Sequence, residues 1–171
     1  MKNKKSFALV FFALFLMMLG NGIIIPVFPY YVKSMGASAF QLGLLLTVYS
    51  LCQFICAPIW GRYSDKVGRK PLLMLGIAGY AVSFIIYGLA HVLWLLFIAR
   101  IAGGVLSAAV MPTAMAYIGD ITTEEQRGSG MGLMGASMGL GMVMGPALGG
   151  ILSGISFTFP FFFAAGLAMA N

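Results

Sequence analysis

The chemistry in this chain is concentrated in one stretch, Gly61-Arg62-Tyr63-Ser64-Asp65-Lys66-Val67-Gly68-Arg69-Lys70-Pro71. Asp65 is a carboxylate among four cations, and it calls for a defined partner. The stretch lies between two long apolar runs, so it cannot lie in hydrocarbon and is expected to form a loop at a membrane surface. Gly68 suits the positive-φ turn that ends a helix. Pro71 suits the first turn of the next helix, where a missing N–H costs nothing. Arg62 and Lys66 stand where a helix C-terminal end favours cations. Anchoring by positive charge explains the Lys and Arg residues, Lys70 included, but not Gly61, Asp65 and Gly68 at these spacings.

Arg100 is the one charged residue well inside an apolar span. It lies about seven residues from the span's outer end, roughly 10 Å at 1.5 Å per residue. A charge at that depth is expensive. It is paired or functional, or it snorkels to the surface. Gly103 and Gly104 follow it and let a neighbouring helix come close. Asn21, Gln53 and Thr113 are the other notable polar groups in spans, and each needs either a neighbouring helix or an aqueous cavity. The four acids, Asp65, Asp120, Glu124 and Glu125, all fall outside the spans. Cys52 and Cys56, four apart on a helix, are too far apart for an easy disulfide, and without His or acidic neighbours they make a poor metal site. His91 has no nucleophile or metal partner beside it, and there is no phosphate-binding loop. No catalytic residue, cofactor or metal is expected, and the chain is not read as an enzyme.

These residues need apolar helices to position them. The chain has 171 residues, 61% hydrophobic and 8% charged, with mean hydropathy +1.00. A soluble domain carries roughly 25% charged residues, so this is an integral membrane protein. Its +6 net charge flanks apolar runs and gives no reason to expect nucleic acid. Lys2, Lys4 and Lys5 precede an apolar run that resumes at Ile23 with no cleavage site, which predicts a retained span over about 7–31, bent near Pro26 and Pro29. Further spans are predicted over about 40–60, 72–90, 93–119 and 128–153, with a sixth from about 157. That sixth span has some 15 residues by Asn171, short of the roughly 20 a crossing needs. Thr122 and Glu125 fit a capping box before the fifth span. A cytoplasmic N-terminus gathers Lys2, Lys4, Lys5, Arg62, Lys66, Arg69, Lys70 and Arg127 inside and leaves Lys33 outside. A faint echo pairs Pro26 with Pro112 and Pro58 with Pro146, as repeats of three spans would.

In the fifth span Ser137, Gly141, Gly145, Gly149 and Ser153 recur at every fourth residue, a face that allows backbone-to-backbone approach or ordinary close packing. Pro146 should bend this helix. Met134, Met138 and Met142 form a neighbouring stripe, suited to a promiscuous apolar wall or to lipid-facing filler.

Four motifs together resemble the N-terminal half of a major facilitator superfamily transporter. They are Gly61 to Pro71, Leu19-Gly20-Asn21-Gly22-Ile23-Ile24-Ile25-Pro26-Val27-Phe28-Pro29, Arg100 to Gly104, and Gly141-Met142-Val143-Met144-Gly145-Pro146-Ala147-Leu148-Gly149-Gly150. The last favours a twelve-span drug/proton antiporter of the Gram-positive multidrug efflux type. The resemblance implies an all-α membrane protein with a major-facilitator-type N-terminal helical bundle, five complete transmembrane helices and a truncated sixth. Residues 1–171 would be one incomplete bundle, with the C-terminal half of the transporter as its missing partner. It also implies that Asp65, Arg69 and Asp120 lock a cytoplasmic gate, that Arg100 and Gln53 face a central cavity, and that Ile25 lines it. Asn21 stands where some relatives carry an acid, so a proton-carrying carboxylate would lie in the other half, or the coupling differs. The expected partners are lipid, protons and a small hydrophobic or cationic drug-like substrate, in the bacterial cytoplasmic membrane. A facilitator-fold importer of a small solute and a non-transporting remnant or interaction module are the alternatives.

Overall fold

A computed structural model describes residues 4–169. All regular structure among them is helical: α1 (Lys4–Ser34), α2 (Ala39–Val67), α3 (Arg69–Leu89), α4 (Leu93–Ser107), α5 (Val110–Ile121), α6 (Glu124–Ser153) and α7 (Phe159–Met169). α4 and α5 together make one membrane-length segment, so five segments are long and apolar enough to cross a bilayer, and α7 is a shorter apolar helix. A helical bundle suits hydrocarbon, because each helix satisfies its own backbone groups.

The helices end where the local chemistry ends them. Gly68 takes φ 99°, and its N–H still donates to the Ser64 carbonyl at 3.1 Å. Gly68 is the single residue between α2 and α3, with Pro71 in the first turn of α3. The charged stretch is therefore not a loop as expected. Gly61 to Val67 form the last two turns of α2, because nothing before Gly68 interrupts a helix. The capping box expected at Thr122 and Glu125 does not form either. The N-cap is Thr123, and the Thr122 hydroxyl donates back to the Ile118 carbonyl at 2.7 Å. A reciprocal capping box instead starts α2, between Ser38 and Gln41.

Pro26, Pro29, Pro58 and Pro146 all lie within continuous helices. Pro112 does not. The fourth span is interrupted at Ala108 and Ala109, where Pro112 has no N–H to offer the Ala108 carbonyl four residues back. The suggested pairing of Pro26 with Pro112 thus joins two prolines with different local effects.

α1 and α6 pack most intimately, α3 lies against α4 and α7, and α2 crosses α4. The core holds an aromatic cluster of Phe28, Tyr31, Tyr80, Phe84, Tyr87 and Phe161. Two tyrosines stitch the helices together through carbonyls. The Tyr80 hydroxyl donates to Met17 at 2.9 Å. The Tyr31 hydroxyl lies 2.8 and 2.7 Å from the Tyr87 and Ala90 carbonyls at the end of α3, and the Tyr87 carbonyl also accepts from the Ala90 N–H at 3.3 Å.

Candidate functional site

The first constellation is built at the end of the bundle where α2 meets α3 and α5 meets α6. Gly68 turns the chain so sharply that Arg69, the first residue of α3, folds back on the last turn of α2. Its Nη1 lies 2.6 Å from an Asp65 carboxylate oxygen and its Nε 2.9 Å from Asp120 near the end of α5. Nη1 also donates to the Ser64 hydroxyl, which itself donates to the Gly61 carbonyl at 2.6 Å. One guanidinium, with its donors fixed in a plane, thereby joins three acceptors from two helix ends. Arg69 is mostly covered, at 18% exposure, whereas Asp65 and Asp120 remain 63% and 55% exposed. Each carboxylate thus has one side engaged and oxygen lone pairs still open to a further donor. Arg62, Lys66 and Lys70 are exposed, and among the described residues they make no ion pair. Gly61 meets Pro112 across the α2–α5 contact, 3.6 Å from where a Cβ would stand.

The second constellation surrounds Arg100. Gly103 and Gly104 let α4 wedge between α2 and α3, as their positions suggested. A Cβ on Gly103 would stand 2.8 Å from the Ser83 hydroxyl oxygen, and one on Gly104 2.8 Å from both the Tyr49 carbonyl and the Cys52 Cβ. That close approach carries Arg100 into the bundle, where it is 4% exposed. Its guanidinium carbon sits 4.0 Å from the ring centre of Phe28, 5.2 Å from Tyr49 and 5.4 Å from Tyr87. Aromatic faces attract a desolvated cation by up to about 2 kcal/mol. No acid among the described residues reaches it. Nε and Nη2 are buried without a hydrogen-bond acceptor, as are the hydroxyls of Tyr87 and Thr113.

Tyr49 links this box to Gln53. Its ring lies beside Arg100, while its hydroxyl accepts from Gln53 Nε2 at 3.1 Å and lies 3.1 Å from the Ser107 hydroxyl. Gln53 Nε2 also reaches Ser107 at 3.2 Å. Gln53 and Arg100 thus both meet Tyr49, Gln53 at its hydroxyl and Arg100 at its ring. The described hydrogen bonds and ring contacts do not join the other candidates to these residues. Asn21 is half-buried, Ile25 is 53% exposed, and Met138 is partly buried against the core. Along the methionine stripe, Met134 is buried and Met142 exposed.

The third constellation is the α1–α6 contact. Ser137, Gly141, Gly145 and Gly149 are buried. A Cβ on Gly141 would stand 2.5 Å from the Phe15 carbonyl oxygen, and one on Gly149 2.8 Å from that of Ile23. Pro146 lies beside Gly22 in the same seam. Gly150 points elsewhere, with open space where its Cβ would be.

Sequence reading did not pick out Ser64, Phe28, Tyr49, Tyr87 or Ser107. Ser64 had one faint signal, its place next to Asp65. The other four lie on four different helices, and nothing in their spacing announces a shared pocket.

The Major Facilitator Superfamily model matches residues 10–171. The chain is 36% identical over 168 residues to "Multidrug resistance protein 2" of Bacillus subtilis, covering 98% of this chain and 42% of that protein. It is 35% identical over 167 residues to "Quinolone resistance protein NorA" of Staphylococcus aureus, covering 98% of this chain and 43% of that one. The chain thus spans less than half the length of these relatives. Among solved structures, the human organic anion transporter MFSD10 (TETRAN) shares the fold, with TM-score 0.80 and 24% identity over 99% of this chain and 46% of that one.

Proposed function

This chain belongs to the major facilitator superfamily, and on that premise we propose that it is the N-terminal bundle of a proton-coupled multidrug efflux transporter of the bacterial cytoplasmic membrane. The observation that carries this reading is the match along 98% of the chain to two bacterial drug-resistance proteins. Transport in this fold works by rocking one bundle against another around a central site. The Asp65–Arg69–Asp120 cluster then belongs to the cytoplasmic gate. The open sides of its two carboxylates receive donors from the second bundle when the gate closes, and lose them when it opens. Arg100 and Gln53 belong to the cavity wall. The residues of the antiporter-type motif, Gly141 to Gly150, let α6 move as one body with α1.

The substrate class is a small hydrophobic or cationic drug-like molecule, exchanged for protons. Arg100 does not carry the proton, since guanidinium stays charged in proteins. The four acids of this chain, Asp65, Asp120, Glu124 and Glu125, all lie at helix ends, so the proton is assigned to a carboxylate of the second bundle. The N-terminus and the Gly68 turn face the cytoplasm, by the bias of Lys and Arg.

The test is efflux of a fluorescent drug from cells of a pump-deficient host that express the complete transporter carrying residues 1–171. Export should stop when a protonophore collapses the proton gradient. Inward transport of a solute, or export indifferent to the gradient, would overturn the assignment.

A further inference from the structure

The side-chain amide of Gln53 is held by one prong only. Gln53 Nε2, the Tyr49 hydroxyl and the Ser107 hydroxyl lie 3.1, 3.2 and 3.1 Å from one another. Three hydrogen bonds in a triangle need three hydrogens. The amide nitrogen carries two, and either hydroxyl supplies the third. If the amide were turned over, its oxygen would bring none, and the two hydroxyls would leave one contact without a hydrogen. The count therefore sets the orientation, with Nε2 toward Tyr49 and Ser107 and Oε1 left over as an acceptor.

The support behind the amide is stiff. Tyr49 is fixed on its backbone side by the close passage of Gly104 and on its ring face by Arg100. Gln53 is half-buried, no described hydrogen bond reaches Oε1, and that oxygen is not among the buried unpartnered atoms. It is an open acceptor.

We propose that Gln53 selects ligands by hydrogen-bond polarity, its Oε1 accepting from an N–H or O–H group of an otherwise apolar ligand. This rests on the reading that Gln53 lines the substrate cavity. A ligand that brings only acceptors leaves two acceptors facing each other without a hydrogen, whereas one that brings an N–H pairs with the carbonyl.

Carbazole and N-methylcarbazole differ at one N–H and serve as the probe pair. Their binding to the complete purified transporter is followed by fluorescence, alongside a thermal melt to confirm folding. Gln53→Leu should lower the preference for carbazole over N-methylcarbazole roughly fivefold, the size of one hydrogen bond. Tyr49→Phe combined with Ser107→Ala releases the amide to rotate and should shrink the preference by a smaller factor. If Gln53→Leu weakens both ligands by the same factor, the cavity reading stands and the selection by polarity falls. If Gln53→Leu changes neither, Gln53 does not line the cavity and both readings fall. A wild-type protein that binds neither probe also overturns the proposal.

Discussion

The Cα of Gly22 lies 2.5 Å from where a Cβ on Gly145 would stand. No real side chain fits that gap, so α1 and α6 touch backbone to backbone at this point. The contact recurs one turn on either side, at Gly141 and Gly149, which makes the period-four stripe a continuous seam.

The seam predicts opposite outcomes for two glycines of one helix, five residues apart. Gly145→Ala pushes α1 and α6 apart and should cost about 1–3 kcal/mol, the usual range for overpacking. Gly145→Leu should prevent assembly. Gly150→Ala enters open space and should stay within about 0.5 kcal/mol of the parent. Thermal melts in detergent check both, and equal losses would show that α6 is turned differently.

The proposal that Asp65, Arg69 and Asp120 belong to a gate predicts a graded series. Asp65→Asn weakens the 2.6 Å pair with Arg69, a partly exposed interaction on the scale of about 1 kcal/mol, and should slow transport several-fold. Lys66→Gln removes an exposed cation that makes no described ion pair and should change transport little. Arg69→Ala removes the donor shared by Asp65, Asp120 and Ser64 and should be the most damaging of the three. Initial rates of drug efflux rank them. Equal effects of Asp65→Asn and Lys66→Gln would reduce the cluster to a topology anchor.

Arg100→Lys keeps the charge but not the flat guanidinium that lies over Phe28. The ammonium is a compact, strongly hydrated charge, poorly matched to a buried aromatic box. A loss of about 1–2 kcal/mol of stability is expected, with a fall in transport. A variant with the parent's melting temperature would mean that charge alone, and not the stacked plane, holds this position.

Orientation has a direct test. Lys66→Cys in a background without Cys52 and Cys56 should label with a membrane-impermeant maleimide only after the cells are opened. Efficient labelling of intact cells would invert the topology.

Residues 1–171 expressed by themselves should not export drugs. They make one bundle, and alternating access requires a second body to rock against. Their four acids lie at helix ends and place no carboxylate in the membrane interior. Proton-dependent efflux from cells carrying this segment alone would refute the expectation, and cross-linking would show whether two copies had paired to achieve it.

Much of this protein was legible from its residues. Apolar runs of about 20 residues identify spans in almost any arrangement, because hydrocarbon admits few alternatives to a helix. Gly68 announced its turn because a positive φ is inexpensive for glycine. The glycines after Arg100 and along α6 announced close approach because only a missing side chain permits it. Local propensity misled at two places. The run Gly61 to Val67 is polar, yet a helix can continue past the apolar layer until something breaks it. Thr122 and Thr123 are both able to cap α6, and a one-residue choice between them is set by how α5 ends.

What the chain could not reveal in one dimension was which helix answers which. That Gly145 meets Gly22, that Arg69 reaches Asp120 fifty-one residues away, and that Phe28, Tyr49 and Tyr87 close around Arg100 are relations between helices. The reason is physical. Periodicity tells each helix which face is small, polar or aromatic, but a face has no partner until the bundle packs. Only packing at backbone contact then decides whether a buried charge meets a carboxylate, water or, as here, three aromatic rings.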